Sequence, residues 1–383
     1  MSQEFQNAVD AVSKRAGVSA EAVKHNPSNQ ILLDGCRKMG YHADTIPQNT
    51  AGKEHACGWC TFGCPYAEKQ GTMETWIKDA AAAGSRFIQG AWVERIIHRN
   101  GVAEGVWAKV EGGYNLSITA KRVVVSCGSI GTPGLLLRSG LKNRNIGRHL
   151  RLHPVTTVSG IFPGQPIKPF QGSIMTVISN EVANRQESHY GARLEVPAIH
   201  PSMLATLLPW TSASEHKRLM SQFEHTATFI VLTRDRDSKG RVYIDGEGQS
   251  RIDWSLSKFD SESLLQGLEA GIRVMIAAGA QGMSVSIFNS WLQKSLLCSR
   301  VYPHSKFHKQ PIQWKHRNSN RTSIRFVPRV SKHSTHLSFV RIKWAVVAWV
   351  LPQQKVPLIL LENLGKSRIF MLLTRPCSPL PVA

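Results

Sequence analysis

Three features of the 383-residue sequence predict a mixed α+β / α/β fold with two sheet-bearing units and a disordered C-terminal tail. A strand pattern at Arg122–Ser126 runs through a glycine turn into a leucine-rich helix, and three strand patterns stand before it as a β-meander. A long stretch from residue 155 to 260 then alternates apolar and polar positions, as an antiparallel sheet with one wet face does, and an amphipathic helix closes it. Beyond about residue 283 no period is sustained.

With 42% hydrophobic and 19% charged residues the composition is globular, and the length suffices for two ordinary domains. The formal charge of +21 raises nucleic acid or an anionic membrane as a partner. That charge is unevenly spread. Residues 292–383 hold 16 Lys and Arg and a single acid, Glu362, which leaves the first 291 residues at only +6. No run of about 18 apolar residues is present for a spanning helix, and the N-terminal MSQEFQNAVDAVSKRAG lacks the apolar core of a secretion signal. Seven cysteines, with Cys57, Cys60 and Cys64 close together, fit a reducing intracellular compartment better than a disulfide scaffold.

Residues 1–50 read as a helical lead-in, broken at HNPSN. Thr72 is placed to cap a core-facing helix carrying Met73, Trp76, Ile77, Ala80 and Ala81 on one face, with Gly84 as its stop. The meander follows in RFIQGAWVERIIH, GVAEGVWAKVEGG and NLSITAKRVVVSC, whose last strand reads as buried. Further on, FIVLT and RVYID read as paired strands joined through DRDSKG, with a turn at Asp245 and Gly246. The closing helix spans Ser261 to Ala278, with Leu264, Leu265, Leu268, Ile272, Met275 and Ile276 on one side and Gly279 after it.

Strand, glycine turn and helix at Cys127, Gly128 and Ser129 is the arrangement that offers backbone N–H groups to a cofactor phosphate, although the GxxGxxG spacing is by itself a common chain reversal. HACGWCTFGC sets His55, Cys57, Cys60 and Cys64 where they can surround zinc, but CxxCxxxC lacks the distant second pair of a zinc ribbon, and buried structural thiols are the commoner reading of it. His149 and His153 are candidate bases whose blander reading is structural, and Asp235 with Asp237 reads as a loop rather than a catalytic pair.

The stretches CGWCTFGCPYAEKQGTMETWIKDAAAAG, RFIQGAWVERI, KRVVVSCGSIGTPGLLLRSGL, NIGRHLRLHPV and HYGARLEVPAIHP, in that order, resemble the glucose-methanol-choline (GMC) flavin oxidoreductases, and within them the long-chain fatty alcohol oxidases. The resemblance runs from about Ile31 to Ala280, and GSIGTPGLLLRSGL is close to a family signature, with Lys142 in place of its final glycine. It implies FAD as cofactor, with Val93 offering its backbone to the adenine and Cys127, Gly128 and Ser129 lining the same nucleotide. It implies a partial FAD-binding, Rossmann-like domain at 51–154, a substrate domain at 155–282, and oxidation of a long-chain fatty alcohol by O2 to aldehyde and hydrogen peroxide. Nucleic acid then drops out as a partner, while association with membranes is a family-level expectation.

Two family features do not stand in the chain as read: the GxGxxG that cradles the pyrophosphate, and the HQMGSCRMG and YVADASLFPTASG segments that bring the catalytic His and line the flavin. The genetic code accounts for the second. Joining the last base of each codon to the first two of the next, RIKWAVVAWV from Arg341 permits HQMGSCRMG, and Phe370 to Ala383 permits YVADASLFPTASG in the same phase. Reading in the wrong frame from a point between about Ala280 and Arg341 is therefore expected, which makes residues 283–383 an out-of-frame, disordered tail. The family His then falls out of frame across Arg341 and Ile342, no catalytic residue is assigned in the frame as read, the chain is expected to be an inactive internal fragment, and the sheet is expected to present an unpaired edge. The alternatives are a nucleic-acid-binding protein acting through residues 292–383, and a small Cys/His metal module.

Overall fold

The computed structural model describes residues 2–286, Leu358–Glu362 and Arg368–Leu372. α1 (Gln3–Arg15) starts under the Ser2 hydroxyl, which accepts from Phe5 N, and buries no residue. β1 (Val18–Ser19) pairs with a later strand. α2 (Pro27–Met39) has every local signal of a helix: Asn26 accepts from Asn29 N, Pro27 occupies the first turn, and Gly40 ends it in the left-handed region. Ile31, Leu32, Leu33 and Cys36 of α2 belong to the main core, so this helix is no lead-in. β2 (Asp44–Thr45) and β3 (Gln48–Asn49) follow, and β3 is the partner of β1.

α3 (Trp76–Ala82) corrects the expected helix in two ways. It begins after Thr75, not Thr72, and none of its residues is buried. Thr72 instead lends its carbonyl to Ile77 N, and Met73 and Trp76 remain 58% and 42% exposed. Gly84, at φ +83, ends the element as expected.

β4 (Ser85–Ile88) precedes the meander of β5 (Ala91–Arg99), β6 (Val102–Val110) and β7 (Asn115–Thr119), paired antiparallel in that order. β8 (Arg122–Ser126) leaves the meander for another sheet, and it is not the buried strand expected of it: Val123 and Val125 pack on the meander core while Val124 is 45% exposed. It runs straight into α4 (Gly128–Arg138), beyond which β9 (Arg148–Leu150) lies.

The six-stranded sheet is antiparallel throughout. β10 (Val155–Ile161), β11 (Val177–Ser179), β12 (Ala192–Glu195) and, after the short helices α5 (Pro201–Leu207) and α6 (Ala213–Met220), β13 (Thr226–Thr233) assemble with β2 and a last strand, β16 (Gly282–Ser286), in the order β16-β10-β13-β12-β11-β2. β10 and β13 are buried on both faces, a departure from simple alternation that marks them as central strands. β14 (Lys239–Ile244) pairs with β15 (Ser250–Ser255) and β9 in a separate sheet, so DRDSKG crosses between sheets and is not a hairpin. The Asp245 turn stands as expected, its Oδ1 accepting from Glu247 N and Gln249 N.

α7 (Lys258–Ala278) is capped by Ser257 and stopped by left-handed Gly279. It meets the sheet through Gly267, Leu268, Gly271, Val274 and Met275, and not through the full leucine face that periodicity indicates. The reason is distance: a methyl group at Gly267 would stand 2.4 Å from Val231 Cγ1, and one at Gly35 of α2 would stand 2.5 Å from the Val274 carbonyl oxygen. The three layers approach too closely for larger side chains at these crossings.

Within residues 283–383, β16 extends the six-stranded sheet to Ser286, β17 (Leu358–Glu362) pairs antiparallel with β8, and β18 (Arg368–Leu372) lies parallel to β4. In that sheet, ordered β4-β18-β17-β8, β8 is an outer strand. The other residues of that stretch, Arg341 and Ile342 among them, lie outside the described residues.

Candidate functional site

The turn at the end of β8 is built by Gly128, whose φ of +76 allows the chain to swing from strand to helix without a side-chain clash. Cys127 is the residue before the helix; its N–H already donates to Thr132 Oγ1 at 3.0 Å, which leaves Gly128 and Ser129 as the exposed start of α4. Burial pushes the Cys127 thiol up, against the opposing influence of Arg138. Gly134, further along α4, is required for another reason, since a methyl group there would stand 2.1 Å from Ser250 Oγ.

Val93 is 2% exposed on β5 and shares an apolar cluster with Cys127. Val93 and Cys127 thus pack in the same apolar cluster, to which β5 and the end of β8 both contribute. β5 is the outer strand of the meander, and the C-terminal end of α4 engages its edge: Ile96 N donates to Ser139 Oγ at 2.8 Å, and Arg138 Nε donates to the Glu94 carbonyl at 3.1 Å. The ladder slips between Val93 and Arg95, which leaves Glu94 as a bulged residue at this point of the edge.

A second concavity, about 650 Å³, opens at the β2–β11–β12 end of the antiparallel sheet, lined among others by Asp44, Gln48, Lys69, Arg193 and Glu195. Sequence reasoning passed over Glu195, although ARLE carried the signal. Ala192 and Leu194 lie in the core, so the intervening Arg193 and Glu195 must face the other side. Burial pushes the Glu195 carboxyl up, with Arg193 and His153 acting against it. His149 and His153 are exposed and both have left-handed backbone. Asp235 accepts from Leu152 N, and Asp237 pairs with Arg236, which fits the loop reading of both.

The cysteine loop packs beside this concavity. His55, Cys57, Cys60 and Cys64 do not converge on a metal geometry: among the described residues no group of three His, Cys, Asp or Glu side chains is placed to hold an ion. His55 is instead engaged on both ring nitrogens, by Glu68 and by Cys57. Lys69 lies against Cys60, Cys64 and Cys57, and burial lowers its pKa, those sulfurs opposing the shift.

Residues 1–155 match the family model described as GMC oxidoreductase. The resemblance read from the sequence is borne out over that segment. Two long-chain-alcohol oxidases of Arabidopsis thaliana extend it: FAO4A is 38% identical over 291 residues, covering 72% of this chain and 39% of its own length, and FAO3 is 35% identical over 298 residues, covering 73% and 39%. The chain thus spans about 39% of the length of these relatives. Among solved structures, a variant of Aspergillus oryzae formate oxidase aligns over 67% of this chain and 54% of its own at 12% identity, with a TM-score of 0.49. No helix among the described residues is long and apolar enough to cross a membrane.

Proposed function

We propose that this chain is part of an FAD-dependent alcohol oxidase acting on long-chain primary alcohols with O2 as acceptor. The observation that supports the reading is that Val93 of β5 and Cys127, at the start of α4, share one apolar cluster inside a segment that matches the GMC oxidoreductases. A strand edge beside a helix N-terminus suits the adenosine half of a dinucleotide, because it offers backbone donors and acceptors and a partial positive charge. Bound FAD supplies a hydride acceptor for the alcohol carbon. This chain's own part is to hold the nucleotide at that turn, from residues 51–154, and to roof the reacting carbon with the antiparallel sheet of residues 155–282, to which α2 contributes core packing.

The reading includes a loss of frame between about Ala280 and Arg341, supported by the two family segments that the alternative phase permits. In the frame as read, no His stands at Arg341 or Ile342 to take the hydroxyl proton, so the chain is inactive and its tail's positive charge has no functional meaning. Sequencing genomic and transcript DNA from codon 275 onward tests the first point. Expressing the corrected frame, with any upstream coding sequence the transcript carries, tests the second: it should bind FAD and release peroxide from dodecanol or hexadecanol, whereas the chain as read should not. A corrected protein without flavin or alcohol oxidation would overturn the reading.

A further inference from the structure

The loop from His55 to Lys69 contains an arrangement that the flavin chemistry does not use. His55 Nδ1 lies 2.7 Å from Glu68 Oε2, and His55 Nε2 lies 3.2 Å from Cys57 Sγ. A carboxylate only accepts, so Nδ1 carries the ring proton and the Nε2 lone pair is turned to the thiol. The imidazole is 1% exposed, its backbone carbonyl is held by the Ser173 hydroxyl, and it has no freedom to turn away. Nucleophile, base and orienting acid thus form one hydrogen-bonded chain, the arrangement of an activated nucleophile.

Two further contacts shape the sulfur. Trp59 N–H donates to Cys57 Sγ at 3.4 Å and so fixes where the sulfur points. The turn that makes this contact needs glycine at 58, with φ +74 and the Phe170 carbonyl oxygen 2.1 Å from where a Cβ would be. Cys57 itself is partly exposed, while Cys60 lies close enough to feel the charges of Cys57, Cys64 and Lys69. A reactive thiol with a second thiol three residues on is the pattern of a site that oxidises to a disulfide, not of an inert buried cysteine.

We propose that Cys57 is a hydroperoxide-reactive thiol, activated by His55 and Glu68, with Cys60 as its resolving partner. Cys57 passes its thiol proton to the His55 Nε2 lone pair, the sulfur attacks one peroxide oxygen, the O–O bond breaks, and the leaving hydroxide takes that proton back from Nε2 and departs as water, leaving a sulfenic acid. The Cys60 sulfur then attacks the Cys57 sulfur, the S–O bond breaks, and a second water leaves with the Cys60 proton. One peroxide is reduced to two waters while two thiols become one disulfide. The site needs no flavin and stands whether or not the oxidase reading holds.

The test treats the purified chain with one equivalent of hydrogen peroxide, traps sulfenic acid with dimedone and free thiols with an alkylating reagent, and follows each cysteine by peptide mass spectrometry. Cys57 should react at least about tenfold faster than Cys36 and Cys127, and end in a disulfide with Cys60. In Cys60→Ser the dimedone adduct should accumulate on Cys57. Glu68→Gln should slow Cys57 by at least about tenfold and leave Cys127 unchanged. The comparison of cysteines within the unaltered protein decides the matter even if a variant fails to fold: Cys57 reacting no faster than Cys127 overturns the proposal. So does a folded Glu68→Gln protein with an unchanged Cys57 rate.

Discussion

Gly267 of α7 and Ala192 of β12 touch so closely that a methyl group on Gly267 would stand 2.5 Å from the Ala192 Cβ. A real side chain never tolerates that separation, so one of the layers must move. Gly267→Ala should lower stability by about 1–3 kcal/mol through overpacking, a loss only partly offset by the helix preference of Ala of about 1 kcal/mol. Gly271, one turn on, provides the control, because its added methyl would meet Val158 and Leu194 at 3.3 and 3.4 Å. Gly271→Ala should leave the thermal midpoint unchanged or slightly raised, and equal midpoints for the two variants would contradict the packing described.

Gly134 and Ser250 form a second close pair, joining α4 to the β14–β15 hairpin. Gly134→Ala drives a methyl group into Ser250 Oγ at 2.1 Å and should destabilise by about 1–3 kcal/mol. With Ser250→Ala the offending oxygen is removed, and the nearest remaining atom of residue 250, its Cβ, lies at 3.4 Å. The double variant should therefore recover most of the loss, as a double-mutant cycle from denaturant unfolding would show.

Asp260 is fully buried and accepts from Arg236 N, Asp237 N, Ser238 N and the hydroxyls of Ser238 and Ser257. Burial alone would raise its pKa, but these donors outweigh it and hold the carboxyl below the ordinary carboxylate range. Stability from this group is therefore fully present above the unfolded-state pKa and is lost as pH falls through the lower folded value. Asp260→Ala should cost about 3 kcal/mol at pH 7 and flatten the acid limb of the thermal-midpoint profile.

Glu195 behaves with the opposite sign. Burial raises its folded pKa, so the ionised side chain weighs against folding at neutral pH, and the penalty vanishes as pH falls below the unfolded value. Glu195→Gln should be more stable than the parent at pH 7 and equal to it near pH 4. Thermal midpoints at both pH values check this, and a variant that is less stable at pH 7 would assign Glu195 a stabilising ionic contact.

Elements whose signals lie within a few residues were legible without coordinates. Gly279 stops α7, Asp245 makes its own turn, and Gly128 marks the passage from β8 to α4, because caps and positive-φ positions act over one helical turn or less. Misreadings arose where burial decides. Met73 and Trp76 had the period of a core helix, yet α3 lies on the surface, since periodicity reports a possible apolar face and not the presence of a partner for it.

The candidate sites divide along the same line. Cys127, Gly128 and Ser129 were visible as a turn, and resemblance added Val93, whose place in the same apolar cluster then followed from the structure. The four residues His55, Cys57, Cys60 and Cys64 were visible as a group, read as structural thiols more readily than as a metal site, but the spacing gave no sign of Glu68, which occupies the imidazole nitrogen that faces away from Cys57.

By itself the sequence determined the family segment, the strand–turn–helix at Arg122–Arg138, the capped helix α7 and, through codon phase, the reading proposed for the tail. Each of these rests on residues adjacent in the chain, or on text that folding does not alter. Tertiary structure alone decided that α2 packs against α7 more than 200 residues away, that the sheet crossings demand Gly35 and Gly267, and that Glu195 faces a cavity beside Lys69. Such contacts are set by how closely whole layers can approach and by which side chains are left outside them, and no local pattern of residues records that distance.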